Sequence, residues 1–381
     1  MRVSGPWLDE AGLQQVLQVL DAGGHQALLV GGCVRNALLG QPVADIDIAT
    51  DARPERVQAL AEAAGMRAVP TGFDHGTITV VVAGTGHEVT TFRRDVETFG
   101  RHAVVAYADT IGEDAARRDF TMNALYANAA GEVLDPLGVG LADLAARRVR
   151  FVGAPEDRIR EDYLRILRFF RFTAWYAAPG QGPDAQALAA CAALAEGVCG
   201  LSRERIGAEM RKLLAAPDPA PAVAAMQAAG VLARVLPGAE ARALAVLVHL
   251  EAGLAPDWRR RLAALGGQDV ARALRLSRAD ARRLDQLLAA LARGWSLPEL
   301  GYRLGVATGR DAALLRSALT AAPLPEGWQA DLARGAAARF PLSAADLMPG
   351  LQGAELGARL AALEARWIDS GFTLTRADLL D

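Results

Sequence analysis

Gly31-Gly32, Arg35 and the pair Asp45 and Asp47 lie within one short stretch, Leu28–Thr50 (LLVGGCVRNALLGQPVADIDIAT). Their types suit chemistry on phosphate. Glycines let the backbone turn sharply and approach a ligand closely. A helix start after such a turn offers free N–H groups to an anion, and Arg35 adds a planar, permanently charged fork. Two carboxylates side by side repel each other unless a cation sits between them. Mg²⁺ is the natural guest, being commonly held by one or two carboxylates plus substrate phosphates. A phosphate cradle beside a metal-binding carboxylate pair is what nucleotidyl transfer needs. Singly, each piece has a plainer reading: Gly-Gly before a helix can be only a turn, and Asp-x-Asp on a strand can be a solvated edge face. The conjunction carries the signal.

Several elements must position these residues. Ala27–Val30 reads as a buried strand, short, apolar and stopped by glycines. Cys33–Leu39 reads as one to two helical turns, ended by Gly40 with Pro42 close behind. Ala44–Ala49 alternates apolar and acidic residues, so as a strand it points Asp45 and Asp47 the same way. Thr77–Ala83 and Glu88–Phe92 read as two strands, and Gly84-Thr-Gly86 between them is short enough for a hairpin. Glu88 is then either a third carboxylate beside the Asp pair or a solvent-facing strand residue. Arg93–Asp109 is polar without a clear period and reads as a mobile loop next to the site.

Two further segments carry polar chemistry. In Ala116–Leu125 (ARRDFTMNAL), helical spacing puts Asp119, Met122 and Asn123 on one side and Phe120, Ala124 and Ala127 on the apolar one. Arg117, Arg118, Asp119 and Asn123 could grip a ribose and phosphates, or Asp119 could be an N-cap before Phe120. In Glu161–Arg171 (EDYLRILRFFR), Asp162, Arg165, Arg168 and Arg171 recur every three residues and form one slowly drifting polar ridge of a helix. Ile166, Leu167, Phe169 and Phe170 fill the rest. Asp162 and Arg165 can be a surface ion pair worth less than ~1 kcal/mol. Beside a triphosphate they suit another task, since Asp accepts from an exocyclic amine and Arg donates to a ring nitrogen or carbonyl.

Composition narrows the class. At 381 residues the chain should hold two or more domains. Cys33, Cys191 and Cys199 form no CxxC pair, which suits reduced thiols in a cytoplasmic protein. MRVSGPWLDE has no apolar leader core, and no apolar run is long enough to span a bilayer, so no membrane partner is expected. Net charge is −3 and Lys212 is the single lysine, an arginine bias that genomic base composition explains. A nucleic-acid partner would need a local basic face. Up to about Arg150 the chain has β-branched runs, glycines and acidic clusters; beyond it turns Ala-, Leu- and Arg-rich with helical periodicity, broken at Pro217–Pro221. No GxGxxG supports a dinucleotide-binding dehydrogenase, and no His-Asp dipeptide supports an appended phosphohydrolase domain.

These motifs resemble the class II CCA-adding enzymes, the tRNA nucleotidyltransferases of the polymerase β superfamily, kin to bacterial poly(A) polymerases. The family's GGxVR and DxD stand at Gly31–Arg35 and Asp45–Asp47, and its RRDFTxNA at Arg117–Ala124. Its DPxGG-type motif is similar to Asp135–Gly138 with Asp143, Leu144 and Arg150 following. Its EDxxRxxRxxR runs from Glu161 to Arg171, and Leu201–Leu214 resembles the element that stiffens its neck. Two positions depart: Asn36 replaces the usual aspartate, where it would stabilise the turn, and Val139 separates Gly138 from Gly140.

The resemblance implies an α+β fold, a polymerase β-like nucleotidyltransferase head of mixed sheet and helices followed by an all-α neck, body and tail. The expected bounds are residues 1–150, 151–216, 217–300 and 301–381, the last contacting tRNA. It implies Mg²⁺ at Asp45 and Asp47 with Glu88 as a third catalytic carboxylate. Gly31, Gly32, Arg35, Arg118, Asp119 and Asn123 would meet the triphosphate and sugar. Asp162 and Arg165 would read the base edge, with Arg168 and Arg171 in support. The implied activity adds C, C and A to the tRNA acceptor end from CTP and ATP. A poly(A) polymerase or a partial CC- or A-adding enzyme would share every motif, and a silent RNA-binding module is the alternative from another class. Oligomeric state is not readable.

Overall fold

The computed structural model describes residues 1–99, 102–348 and 350–381, without the side chains of residues 74 and 95–105. Two compact units result, Met1–Val235 and Leu236–Asp381.

Among the described residues of the first unit, nine strands follow in order: β1 Ala27–Val30, β2 Asp47–Thr50, β3 Arg67–Gly72, β4 Thr77–Val82, β5 Thr85–Thr91, β6 Arg93–Phe99, β7 His102–Tyr107, β8 Tyr126–Ala127 and β9 Val133–Leu134. Seven of them form one mixed sheet in the order β3-β4-β5-β2-β1-β8-β9. β1 and β2 run antiparallel with Val30 opposite Asp47, and β2 runs parallel to β5 with Asp47 beside Glu88. This register gathers the end of β1, the start of β2 and the middle of β5.

Both sheet faces are covered, which is why β1 is apolar throughout. The helices Ala11–Ala22 and Pro54–Ala63 bury Leu13, Val16, Leu17 and Val57, and both pack against the sheet. Leu28, Val30 and Ala49 join a core with Phe92, Tyr126 and Val152. Strand alternation puts these residues opposite Leu29 and Ile48.

Three local expectations need correction. Strand β2 begins at Asp47, so Asp45 lies just ahead of it instead of on the same strand face. The segment read as a loop, Arg93–Asp109, is largely an antiparallel pair of β6 and β7 with an irregularity between Asp95 and Glu97; its residues 100 and 101 lie outside the described ones. Its Val, Thr, Phe and Tyr content favours strand, which its polarity obscured. Arg117–Ala124 is not helical: a helix ends at Ala116, and only Thr121–Asn123 form a 3₁₀ turn. Asp119 is thereby freed to accept from neighbouring donors.

Beyond the sheet the first unit is helical. Pro155–Glu161 and Leu164–Tyr176 are separate helices, with Asp162 at the break between them. The second of these, here the arginine helix, buries Phe169, Phe170 and Phe172. Phe120 packs 4.9 Å from Phe151 and 4.8 Å from Phe172 between ring centroids, fastening the Arg117–Ala124 segment to that helix. Tyr163, just before the arginine helix, lies on Gly197: a Cβ built there would come within 1.9 Å of the ring.

Among the described residues, the named elements of the second unit are all helices. Its core holds Arg260, only 2 % exposed, bonded through Nε to Glu251 at 2.6 Å and through Nη1 to Asp311 at 2.7 Å. The helices Leu297–Thr320 and Trp328–Ala337 approach so closely that a Cβ on Gly335 would lie 1.7 Å from the carbonyl oxygen of Pro298. Among the described residues, no helix is long and apolar enough to cross a membrane.

Gly197→Ala should therefore displace Tyr163 and with it the start of the arginine helix. Overpacking of this kind costs about 1–3 kcal/mol, and denaturant unfolding of the variant against the parent measures it. An unchanged midpoint would show that the ring moves without cost.

Candidate active site

Gly31 follows β1 with φ 75° and ψ −117°, a conformation that side chains with a Cβ avoid. Its N–H donates to the carbonyl of Leu125 at 3.1 Å, and its carbonyl accepts from Arg35 N at 3.0 Å. A Cβ at Gly31 would sit 3.6 Å from Arg118 Nη1 and 3.7 Å from the Asn123 carbonyl oxygen. The glycine turn and the Arg117–Ala124 segment are therefore in contact.

Arg118 is held from behind. Its Nε donates to Tyr126 Oη at 3.0 Å and its Nη2 to Asp114 Oδ2 at 2.8 Å. Asp114 also accepts from Arg117 Nη2 at 2.6 Å, from the Tyr126 hydroxyl at 2.7 Å and from Arg93 N at 3.2 Å. Burial pushes the Asp114 carboxyl up, but Arg118 and Arg117 with these hydrogen bonds reverse the effect and hold it well below the usual carboxylate range. Asp47 moves the other way. Desolvation raises its pKa, Glu88 and Asp45 add to the rise as neighbouring negative charges, and Arg118 opposes them. One guanidinium thus faces both the glycine turn and the crowded carboxylates.

Oxygen-rich, mutually repelling carboxylates are the donor set a hard divalent cation prefers. Among the described residues, no three His, Cys, Asp or Glu side chains already stand in metal-holding geometry. Asp45, Asp47 and Glu88 are all exposed.

Arg35 is 6 % exposed. Its Nη1 donates to Asn123 Oδ1, its Nη2 to Tyr176 Oη at 2.8 Å and to Asn36 Oδ1 at 2.8 Å, and its guanidinium stacks 4.1 Å from the Tyr176 ring centroid. Asn36 in turn donates to the Pro42 carbonyl at 3.0 Å, closing the turn after the helix Gly32–Leu38. Asn123 Nδ2 donates to Asp119 Oδ1 at 2.9 Å, and Asp119 Oδ2 accepts from Arg168 Nε at 2.7 Å. Burial pushes the Asp119 pKa up, but Arg168, Asn123 and the Phe120 N–H outweigh it and hold it at about 2, below the ordinary 3.8.

Asp162 and Arg165 take separate side-chain partners. Asp162 accepts from Arg205 Nη2 and from Leu164 N at 3.1 Å. Arg165 bonds Glu161 and the carbonyls of Arg158 at 3.1 Å and Arg117 at 3.2 Å. Arg171 donates to Glu209 Oε2 at 2.7 Å. Arg205 and Glu209 lie one turn apart on the helix Arg203–Leu214, which therefore grips both ends of the polar ridge. Sequence reasoning did not single out Asp114, Tyr126, Tyr176, Arg205 or Glu209. The spacings 114/117/118 and 205/209 are those of helical ion-pair neighbours and were the available signal.

Comparison with known proteins follows from this geometry. The family described as Poly A polymerase head domain matches residues 27–150, and that described as Probable RNA and SrmB-binding site of polymerase A matches residues 183–242. A solved CCA-adding enzyme of Bacillus stearothermophilus in complex with CTP is 29 % identical with a TM-score of 0.70, covering 96 % of this chain and 94 % of that one. Residues 27–150 thus match the Poly A polymerase head domain family, and the chain is similar along nearly its whole length to a CCA-adding enzyme. Among curated relatives, CCA tRNA nucleotidyltransferase 1, mitochondrial, of Mus musculus is 40 % identical over 204 residues, 53 % of this chain and 47 % of that protein. The CCA-adding enzyme of Anoxybacillus flavithermus is 40 % identical over 211 residues, 55 % and 51 % of the two chains. The chain thus spans about half the length of the curated relatives it matches. Nucleotidyltransferases of this family depend on divalent metal in general.

The depressed pKa of Asp119 makes a pH-dependent contribution. Because its folded value lies below the unfolded one, the stabilisation is complete above about pH 4 and is lost as pH falls towards 2. Asp119→Asn should cost about 2 kcal/mol at pH 7, with the deficit shrinking below pH 4 in denaturant titrations. A deficit independent of pH would contradict the assignment.

Proposed function

We propose that this protein extends the 3′ end of tRNA without a template, adding C, C and A from CTP and ATP and releasing pyrophosphate. The observation that carries this reading is the meeting of Arg118 with the Gly31 turn beside the Asp47–Glu88 pair. Support comes from the likeness, over 96 % of the chain, to a CCA-adding enzyme in complex with CTP.

On this reading Asp45 and Asp47 hold Mg²⁺, with Glu88 as a third carboxylate. The metal, when bound, lowers the pKa of the RNA 3′-hydroxyl and neutralises triphosphate charge. The chain's own residues orient the reactants. Gly31 and Gly32 let the phosphates approach the backbone, and Arg118 presents a fixed positive charge to them. Arg35 and Asn123 hold the turn in shape, while Asp119 and Arg168 support the sugar end of the nucleotide. The hydroxyl attacks the α-phosphate in line, so positioning and charge neutralisation dominate.

Base choice falls to Asp162 and Arg165. Cytosine and adenine both present an amino donor beside a ring-nitrogen acceptor, whereas guanine and uracil reverse that order. A carboxylate has about four lone-pair sites, so Asp162 retains capacity beyond Arg205 and Leu164 N. Among the described residues, the hydrogen bonds of Arg165 engage Nη1 and Nη2 and leave Nε outside them. An unpaired buried polar group costs roughly 1–3 kcal/mol, and two mismatches together would exclude the wrong bases. Arg171 supports the ridge through Glu209. We place residues 151–216 as a neck, 217–300 as a body and 301–381 as a tRNA-contacting tail, and the activity in the cytoplasm.

Incubation with tRNA lacking its 3′ end, with CTP and ATP separately and together, tests the reading by product length. Ordered addition of two C and one A supports it; a long A tail would indicate a poly(A) polymerase, and arrest after CC or after A alone a partial enzyme. Asp45→Ala and Asp47→Ala should each abolish incorporation with an unchanged unfolding transition, and full transfer by either would remove the metal assignment. Arg165→Ala should blur selection against UTP and GTP more than it weakens tRNA binding. Undiminished discrimination would count against base reading by this helix.

A further inference from the structure

We infer that Arg147, Arg148 and Thr173 form a phosphate-binding subsite, separate from the candidate active site, that takes a backbone phosphate of the RNA. The RNA as source rests on the function proposed above; the anion site itself does not.

A cavity of about 190 Å³ opens on the first unit, lined by Arg147, Arg148, Val149, Thr173, Gln181 and Asp184 among others. A water occupies about 30 Å³ of liquid, so a phosphate group fits with room for bridging water. The lining is set up for an anion in three ways.

First, two adjacent arginines reach it, and among the described residues neither guanidinium has an ion-pair or hydrogen-bond partner. Their neighbours in the unit differ: Arg117 and Arg118 are bound to Asp114, Arg168 to Asp119, Arg171 to Glu209 and Arg205 to Asp162. Two adjacent guanidinium groups able to meet a ligand thus converge on one cavity.

Second, Thr173 is 9 % exposed, and among the described residues its buried hydroxyl has no hydrogen-bond partner. A helical threonine ordinarily donates to a carbonyl one turn back. A buried hydroxyl left without that bond is unfavourable, and a phosphate oxygen would accept from it.

Third, the acid in this lining is already engaged. Asp184 Oδ1 accepts from Ala187 N at 3.0 Å as the cap of the helix Ala185–Ala193. Two arginines against one carboxylate leave the cavity net positive. Arg147 stands at φ 53°, in the left-handed region, at the corner between the helix Gly140–Ala145 and the chain leading to Phe151. Thr173 lies about 12 Å beyond Arg165 along the arginine helix, so one rigid element would carry base reading and phosphate grip together.

Three substitutions, combined in two proteins, test the subsite. Thr173→Val removes the hydroxyl and keeps the shape. Arg148→Ala removes an exposed charge. Arg147→Gly removes the other charge while accepting the left-handed backbone. Binding of 3′-trimmed tRNA is followed against KCl concentration, and inorganic pyrophosphate is titrated calorimetrically into the same proteins. The Arg147→Gly/Arg148→Ala protein should bind tRNA about tenfold more weakly, with the log–log salt slope reduced by about one. Its KM for CTP and its unfolding midpoint should not change. Thr173→Val should weaken tRNA binding several-fold without lowering the midpoint, a separation that a structural role for the hydroxyl would not produce.

Wild-type affinity and slope in both proteins would overturn the subsite. Loss of pyrophosphate binding with tRNA affinity intact would overturn the RNA source. Failure of the wild-type protein to extend tRNA would defeat the proposed function, yet a difference in tRNA affinity between wild type and variants would still support the subsite.

Discussion

The buried carboxylate of Asp119 is the constraint around which the candidate site is organised. An ion this far from water is tolerated only when it is paired and fully hydrogen-bonded, and removing a partner from such a pair costs about 3–5 kcal/mol. Its donors come from different places: Arg168 from the arginine helix, Asn123 from the 3₁₀ turn, and the N–H of Phe120 from its own segment. Asn123 passes the constraint on to Arg35, which returns to the arginine helix through Tyr176. The loop of contacts closes, so the glycine turn, the Arg117–Ala124 segment and the arginine helix cannot be placed independently. Phe120, between Phe151 and Phe172, fills the apolar side of the same junction.

Asp114 performs the same service for Arg118. With Tyr126 it fixes the guanidinium that faces both Gly31 and the acidic pair. Arginines of this unit bound to buried acids, such as Arg118 and Arg168, act as fixed fittings, whereas Arg147 and Arg148 remain available to an outside anion. A chain with a net charge of −3 can thus present a local basic surface without a basic composition.

Much of the fold was legible because its signals are local. Ala27–Val30 is apolar and ends at glycines, and the β4–β5 hairpin turns at Ala83-Gly84, both with positive φ. Asp45, Asp47 and the RRDF and EDxxR motifs drew attention through residue type and spacing alone. Partner choice was not legible. Helical periodicity made Asp162 and Arg165 a natural pair, but the helix breaks at Asp162 and each side chain finds a different partner. Arg35 has the chemistry to meet phosphate, yet its burial against Tyr176 and Asn123 depends on contacts 141 and 88 residues away. The Arg93–Asp109 segment misled for another reason: its polarity hid β-branched and aromatic positions that pair across a hairpin.

The parallel seam between β2 and β5 imposes a rule on how this chain can vary in length. Asp47 and Glu88 are neighbours only because the stretch joining their strands delivers β5 in one register. Side chains alternate every residue along a strand, so adding or deleting one residue inside β5 ahead of Glu88 would turn that carboxylate to the opposite side of the sheet. Length changes compatible with the acidic cluster are therefore confined to the turns of the crossover, such as Ala64-Gly65 and Ala83-Gly84, where an extra residue can be absorbed before pairing begins.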